Sequence, residues 1–414
     1  MYLVPIHVPI YIQGGERLLA TDWKRSLLLL RDSFDGRFGH VQVVAPSLDA
    51  RVVKADQALE LVRPSDEIDL FPSFDFHSTN REFWSKHVHT WRRDVEALLP
   101  NADIVHSGFC DVYRPLTFLG FMAAQAADKP TVFVQDTDQV LQSLQLADGG
   151  NLRRRVEARA YSEVFERGVR YGVKRASLTL LKGRALQERY ARFAKNPKSF
   201  HDTSYLTSEV VPIEELERRI DELLQGKRPL RLVYCGRLEA RKGLDESIDA
   251  LMRARAQGAN VTFDIIGAGE QRAALERQAS HLRAGDAVKF LGTRMYGPEL
   301  LRELASYDAL LFTPIAEDTP RMIFDGYAAG LPLIGYAIEY VREREAEDGA
   351  ARSAPMRDPS ALAALLCRLD RDRPQLAKLA RRAHDAAYYH AADAWYKRRA
   401  EWTYEAAAAY RPSR

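Results

Sequence analysis

Short apolar runs alternate with longer amphipathic stretches along the whole chain, the pattern of parallel strands wrapped by helices. In the first half these runs predict strands at Tyr2–Ile12, Val41–Ala45, Asp103–His106, Thr131–Gln135 and Ser177–Leu181. In the second half they predict strands at Leu230–Cys235, Val261–Ile266, Ala287–Leu291, Ala309–Phe312 and Pro332–Tyr336. Between the halves, Ile213–Leu224 spells a short charged helix, closed by Gly226 and Pro229. The expected fold class is therefore α/β, with two doubly wound Rossmann-like domains facing a cleft. The expected domains are residues 1–208, residues 209–390, and a terminal helix over 391–414. That helix carries Trp395, Trp402 and Tyr404 and is expected to pack back on the body. Doubly wound sheets bind ligands outside the carboxyl ends of their strands, so candidate chemistry is sought there.

Composition narrows the class. A chain of 414 residues with 46% hydrophobic and 28% charged positions is neither disordered nor fibrous. Sixty basic against 57 acidic residues leave +3, which argues against a nucleic-acid partner. Cys110, Cys235 and Cys367 are too few and too scattered for a disulfide framework or a cysteine-rich zinc site. A reducing, cytoplasmic location is expected. The first basic residue is Arg17, after Pro5 and Pro9, unlike a secretory signal. The most apolar stretch, Pro115–Ala127, contains Thr117 and Gln125 and falls short of the ~20 residues that span a bilayer.

Charge is distributed unevenly. Asn151–Phe200 holds 14 Lys or Arg against four Glu, a local net of +10. Such a face suits anionic lipid headgroups, at about 1 kcal/mol per nearby cation, and would place the protein peripherally on the inner face of the plasma membrane. Solvated helices with internal ion pairs are the alternative.

Three segments carry chemistry. Leu232–Gly243 ends a strand in Gly236 and delivers Arg237 and Lys242 into the next loop, cations suited to a diphosphate. Glu317–Gly330 follows another strand; Thr319 is expected as a helix N-cap, Pro320 as the first helical residue, and Gly330 with Pro332 as the stop. Glu317 then precedes the helix and Asp325 lies inside it, and both can accept hydrogen bonds from sugar hydroxyls. The helix N-terminus itself attracts phosphate. Ile265–Arg272 turns through Gly267 and Gly269 but lacks the third glycine of a dinucleotide fingerprint, because position 272 is Arg. Asp136-Thr137-Asp138 spells D-x-D, which could hold a divalent metal bridging phosphates.

Taken together, Gly236-Arg237-Leu238 with Lys242-Gly243, then Gly267-Ala268-Gly269, Val288–Gly292 and Glu317–Pro332 resemble family-4 retaining glycosyltransferases of the GT-B fold, a set also known as group 1. The family's E-x7-E pair falls on Glu317 and Asp325, with Asp in place of the second Glu. The resemblance implies that Arg237 and Lys242 hold the donor diphosphate. Glu317 and the backbone around Thr319, Pro320, Arg321 and Met322 then meet the donor sugar, and Asp325 takes the ribose hydroxyls. It also implies a glycine-rich loop at Gly14-Gly15 facing the donor phosphates, and acceptor-side roles for His106 and Asp136. The family usually has a second histidine where Gly108 stands, and a histidine where Gln135 stands.

The resemblance implies an activity: sugar transfer with retention from a nucleotide-sugar to a hydroxyl of a saccharide acceptor, lipid-linked in surface-polysaccharide synthesis. No cofactor or metal is expected, and Arg237, Lys242, Glu317 and His106 are the expected catalytic set. The rivals are a nucleotide-sugar-binding protein without turnover, a GT-B epimerase or phosphorylase, and the metal-dependent D-x-D fold.

Overall fold

The computed structural model describes residues 1–53, 58–148 and 150–412. The chain forms two compact units. The first comprises Met1–Val140, Val156–His201 and Trp395–Arg414; the second comprises Leu141–Arg155 and Asp202–Ala394. Compared with the expected boundaries, the division moves to 201/202, and Leu141–Arg155 goes to the second unit.

The first unit is built on β1 (Tyr2–Pro5), β2 (Ile10–Gln13), β3 (Glu16–Ala20), β4 (Val41–Asp49), β5 (Leu59–Leu61), β6 (Ile68–Asp75), β7 (Ile104–Gly108), β8 (Thr131–Gln135), β9 (Leu178–Lys182) and β10 (Pro197–Phe200). They form one sheet in the order β10-β9-β8-β7-β1-β4-β2-β3-β5, with β6 also paired to β4. The pairs from β10 through to β6 are parallel, whereas β3 is antiparallel to both β2 and β5. The stretch expected as one strand, Tyr2–Ile12, is broken at Ile6–Pro9 into β1 and β2. Strand β9 is buried along its whole length and β7 at every position but His106, as parallel strands covered by helices must be. The missed strands β5, β6 and β10 lie at sheet margins, where weak patterning and Pro72 in β6 are tolerated.

The second unit holds β11 (Leu230–Cys235), β12 (Val261–Ile266), β13 (Val288–Gly292), β14 (Ala309–Phe312), β15 (Leu333–Tyr336) and β16 (Ala351–Ala354). All pairs are parallel, in the order β13-β12-β11-β14-β15-β16. Numbered from β11 this is 3-2-1-4-5-6, the order of dinucleotide-binding sheets, whose switch point lies between the first and fourth strands. The site is therefore looked for after β11 and β14. An apolar core runs through this unit from Tyr205 through β11–β16 to Ala391.

The terminal helix Ala392–Ala409 contributes its residues from Trp395 onward to the first unit. There Arg399 lies over the Phe200 ring, Lys198 over Trp402, and Tyr410 Oη donates to Asp128 at 2.7 Å. Among the described residues no helix is long and apolar enough to cross a membrane.

Candidate functional site

At the carboxyl end of β11 the chain turns through Gly236 into a loop that stacks on the loop after β12. Gly236 N–H donates to Ile266 O at 2.9 Å, and Leu238 N–H to Ala268 O at 2.9 Å. A Cβ on Gly267, whose φ is +143°, would stand 1.9 Å from Gly236 O. One on Gly269 would stand 2.4 Å from Leu238 O. Both glycines are therefore required by loop-on-loop contact alone.

That loop presents three cations and meets two acids. Arg237 is largely exposed and pairs with Glu239 at 2.8 Å. Arg241 bridges Glu239 at 2.8 Å and Asp318 at 3.1 Å, and the buried Lys242 ammonium is bonded to Asp318. Burial holds the Lys242 amine below its ordinary value despite the opposing pull of Asp318. Arg241 was not singled out from the sequence, because an Arg beside Lys242 has no spacing signal of its own.

The loop after β14 is fixed from several sides. Glu317 is buried, 3% exposed. Its carboxylate accepts the backbone N–H groups of Glu339 and Tyr340, each at 3.1 Å, and so caps the helix Glu339–Glu347. Its peptide is gripped by the helix Gln139–Ala147: Gln145 Oε1 accepts its N–H at 2.6 Å, and Gln142 Nε2 donates to its carbonyl at 2.9 Å. Neither glutamine carries any sequence signal, since their partner lies some 170 positions away.

The helix that follows is shorter than expected. It spans Met322–Ala328 with Arg321 as N-cap, so Thr319 and Pro320 belong to the loop and do not cap it. Pro320 would permit an earlier start, but the helix begins only after Arg321, which donates to Ser204 Oγ at 3.1 Å. Asp325 falls in the first turn, 8% exposed, and Oδ1 accepts from Tyr296 Oη at 3.1 Å.

In the first unit the expected residues separate. Gly14 and Gly15 form the two-residue turn of the β2–β3 hairpin, with φ of +59° and +88°. A turn with both central residues at positive φ favours glycine by itself. His106 sits in mid-strand of β7, its Nδ1 2.7 Å from Tyr2 Oη with the two rings packed edge to face. Burial, with the Arg399 guanidinium adding to it, pushes the imidazole down to about 3. His106 is half-buried, and its Nδ1 is engaged by the Tyr2 phenol. Asp136 follows β8, and its charge acts on both His7 and Cys110, whose Nδ1 and Sγ are 3.5 Å apart. His7 lies two residues past β1, next to this sheet's own switch between β1 and β7; the single long strand expected over Tyr2–Ile12 concealed it. Asp138, the second acid of D-x-D, is ion-paired with Arg189 at 3.1 Å.

The basic stretch is partly internal. Arg167, Arg170, Arg184 and Arg189 pair with Glu163, Glu166, Glu188 and Glu166 respectively, while Arg175 covers Tyr171 and Arg192 covers Phe193. Arg154, Arg155 and Arg159 remain exposed beside the exposed Leu152 and Val156.

Comparison with known proteins follows the same division. Residues 229–372 match the family model described as Glycosyl transferases group 1. The chain is 26% identical over 164 residues to the UDP-N-acetylglucosamine–peptide N-acetylglucosaminyltransferase GtfA subunit of Streptococcus pneumoniae, covering 40% of this chain and 30% of that protein. It is 30% identical over 148 residues to the amylovoran biosynthesis glycosyltransferase AmsK of Erwinia amylovora, covering 34% and 36%. The matched region thus spans about a third of each relative. The crystal structure of Anabaena Alr3699/HepE in complex with UDP superposes with a TM-score of 0.65 at 17% identity over 98% of both chains. The architecture is the two-domain GT-B fold, and the match to the group 1 family model falls within the second unit.

Proposed function

We propose, with the group 1 domain at residues 229–372 as premise, that the chain is a retaining, metal-independent hexosyltransferase. It would move a sugar from a nucleoside-diphosphate donor to a hydroxyl of a saccharide acceptor. The observation that carries this is the cluster of Arg237, Arg241 and Lys242, the last two paired with Asp318, at the switch point of a 3-2-1-4-5-6 sheet. A solved structure of like fold contains UDP, which supports a uridine donor.

In the proposed step the bond between the anomeric carbon and the β-phosphate oxygen breaks, and the acceptor oxygen bonds to that carbon on the same face. The acceptor proton goes to the departing phosphate. Negative charge grows on the diphosphate, where Arg237 and Lys242 are held ready and lower the barrier without reorganising. Glu317 orders the loop through its cap on Glu339–Glu347, and the backbone from Thr319 to Met322 meets the donor sugar. With both Glu317 oxygens engaged by peptide N–H groups, a same-face displacement suits the site better than a covalent sugar–enzyme ester.

For the acceptor, the likeness to a glycosyltransferase of amylovoran biosynthesis supports a saccharide, and we take it to be lipid-linked. The exposed Arg154, Arg155 and Arg159 with Leu152 and Val156 support peripheral contact with an anionic, inner-face membrane.

Calorimetric titration with UDP, GDP and ADP, with and without EDTA, tests the proposal. Binding of one nucleotide that survives EDTA and is lost in Arg237→Ala is the expected result. Binding that requires a divalent metal and vanishes in Asp136→Ala would overturn it.

A further inference from the structure

The first unit gives up the chain at Val140 and takes it back at Val156, and Leu141–Arg155 belongs to the second unit. Two glutamines of the helix Gln139–Ala147 anchor that excursion. Gln142 and Gln145 are half-buried, stand three positions apart and so share one helix face. Gln145 Oε1 accepts the Glu317 N–H at 2.6 Å, and Gln142 Nε2 donates to the Glu317 carbonyl at 2.9 Å. A peptide N–H can only donate and a carbonyl only accept, so the partners dictate which way each amide faces. The loop they hold is fixed at its near end by the loop after β11: Thr313 Oγ1 donates to Gly243 O at 2.8 Å, and Ile315 N–H to Arg241 O at 3.0 Å. Its far end is held at the Glu317 main chain and carboxylate. The next residue, Asp318, bonds the Lys242 ammonium and pairs with Arg241 at 3.1 Å.

We propose that Gln142 and Gln145 are positioning residues for the donor diphosphate: by fixing the Glu317 main chain they fix Asp318, and through it the direction in which Arg241 and Lys242 face. This rests on the nucleotide-sugar assignment above and deepens it. Neither glutamine needs to touch the ligand. The carbonyl that Gln142 binds belongs to the peptide joining Glu317 to Asp318, so a shift there passes to the carboxylate within one residue. Long cationic side chains weaken binding when they must be ordered at that moment, and Asp318 orders two of them beforehand. With the grip on Glu317 released, that ordering is lost although Arg237, Arg241 and Lys242 are all still present.

The test uses the full chain and calorimetric titration with UDP and with UMP, which keeps base and ribose and lacks one phosphate. Gln145→Met and Gln142→Met keep the side-chain length and remove the hydrogen bond. Each is expected to weaken UDP by about 5- to 20-fold, as for loss of one hydrogen bond to a buried peptide group, and UMP by less than about 2-fold. Substitution by glutamate reads the direction of each bond. Gln145→Glu still offers the N–H an acceptor and should bind UDP within about 2-fold of wild type, whereas Gln142→Glu sets a carboxylate against a carbonyl and should lose about 5- to 20-fold. Both changes add the same charge to the same helix face, so repulsion of an anionic ligand alone would weaken both alike. Equal weakening by the two glutamates would overturn the inference. So would methionine variants, folded by circular dichroism, that keep the wild-type preference for UDP over UMP, or a wild type that binds the two equally. The glutamate pair, at half-buried positions, carries the decision where a methionine variant does not fold. If wild type binds none of UDP, GDP and ADP, the nucleotide-sugar assignment itself fails, and this inference with it. Should GDP or ADP prove the ligand, that nucleotide and its monophosphate replace UDP and UMP.

Discussion

Glu317 is placed to do structural work that can be separated from any contact with substrate. Its carboxylate accepts two peptide N–H groups at the start of the helix Glu339–Glu347, and it is almost wholly buried. Glu317→Ala leaves both donors without that acceptor. Each buried donor left unsatisfied costs about 1–3 kcal/mol, so the second unit should lose roughly 2–6 kcal/mol. Glu317→Gln keeps one acceptor oxygen but removes the charge that favours a helix N-terminus, a smaller loss of about 1–2 kcal/mol. Urea unfolding followed by far-ultraviolet circular dichroism reads this directly. With a slope of about 2–3 kcal/mol per molar, the midpoint of the second unit should fall by roughly 1–3 M for Ala and by no more than about 1 M for Gln. Because two units need not unfold together, the transition is assigned by whether added UDP shifts it. A Glu317→Ala protein with an unchanged midpoint would refute the capping argument. Donor-sugar contact as the sole role of Glu317 would then be the better account.

Gly267→Ala should destabilise the second unit by about 2–4 kcal/mol, read as a lowered thermal midpoint, because the added carbon meets Gly236 O and the backbone is at positive φ. Acid stability should depend on Asp348. Burial raises its carboxyl, but the His390 hydrogen bond and the Arg344 charge outweigh burial and hold it below the ordinary 3.8. A depressed carboxylate stabilises the fold above the unfolded value, and that contribution is lost as pH falls from about 4 through the lower folded value; Asp348→Asn should flatten this dependence in acid denaturation. Nucleotide affinity should weaken on the alkaline side at a pH below the ordinary 10.5 of a lysine, since burial lowers Lys242 and only its charged form attracts a diphosphate. Titration calorimetry at stepped pH should show this in wild type and not in Lys242→Ala. Exchanging Arg154, Arg155 and Arg159 for Glu should abolish sedimentation with anionic vesicles and leave the unfolding midpoint within about 0.5 kcal/mol of wild type, because these side chains are exposed. Equal sedimentation of the two proteins would remove the membrane assignment.

Much of the second unit was legible in the sequence. The strands Leu230–Cys235, Val261–Ile266 and Ala309–Phe312 and the helix Ile213–Leu224 have the spans that periodicity predicted. Central parallel strands are apolar on both faces, and amphipathic helices between them repeat at 3.6 residues, so both signals are local. The margins were not legible. Strand β16 reads Ala-Arg-Ser-Ala, polar enough to pass for a loop, and is a strand only because β15 offers it a free edge.

The cations at the end of β11 and the acids after β14 are local in the same sense, and the sequence by itself determined them, together with the α/β class and the two-unit plan. What each side chain touches was decided only by the tertiary structure. Periodicity put His106 at the end of a strand, but the phenol that occupies its imidazole comes from Tyr2, on a neighbouring strand. Gln142 and Gln145 are ordinary polar helix positions until folding brings the Glu317 peptide against them. Secondary structure is encoded by side chains a few residues apart, whereas hydrogen-bond partners are set by which strands lie adjacent. Adjacency in a doubly wound sheet follows the order of strands in space and not along the chain.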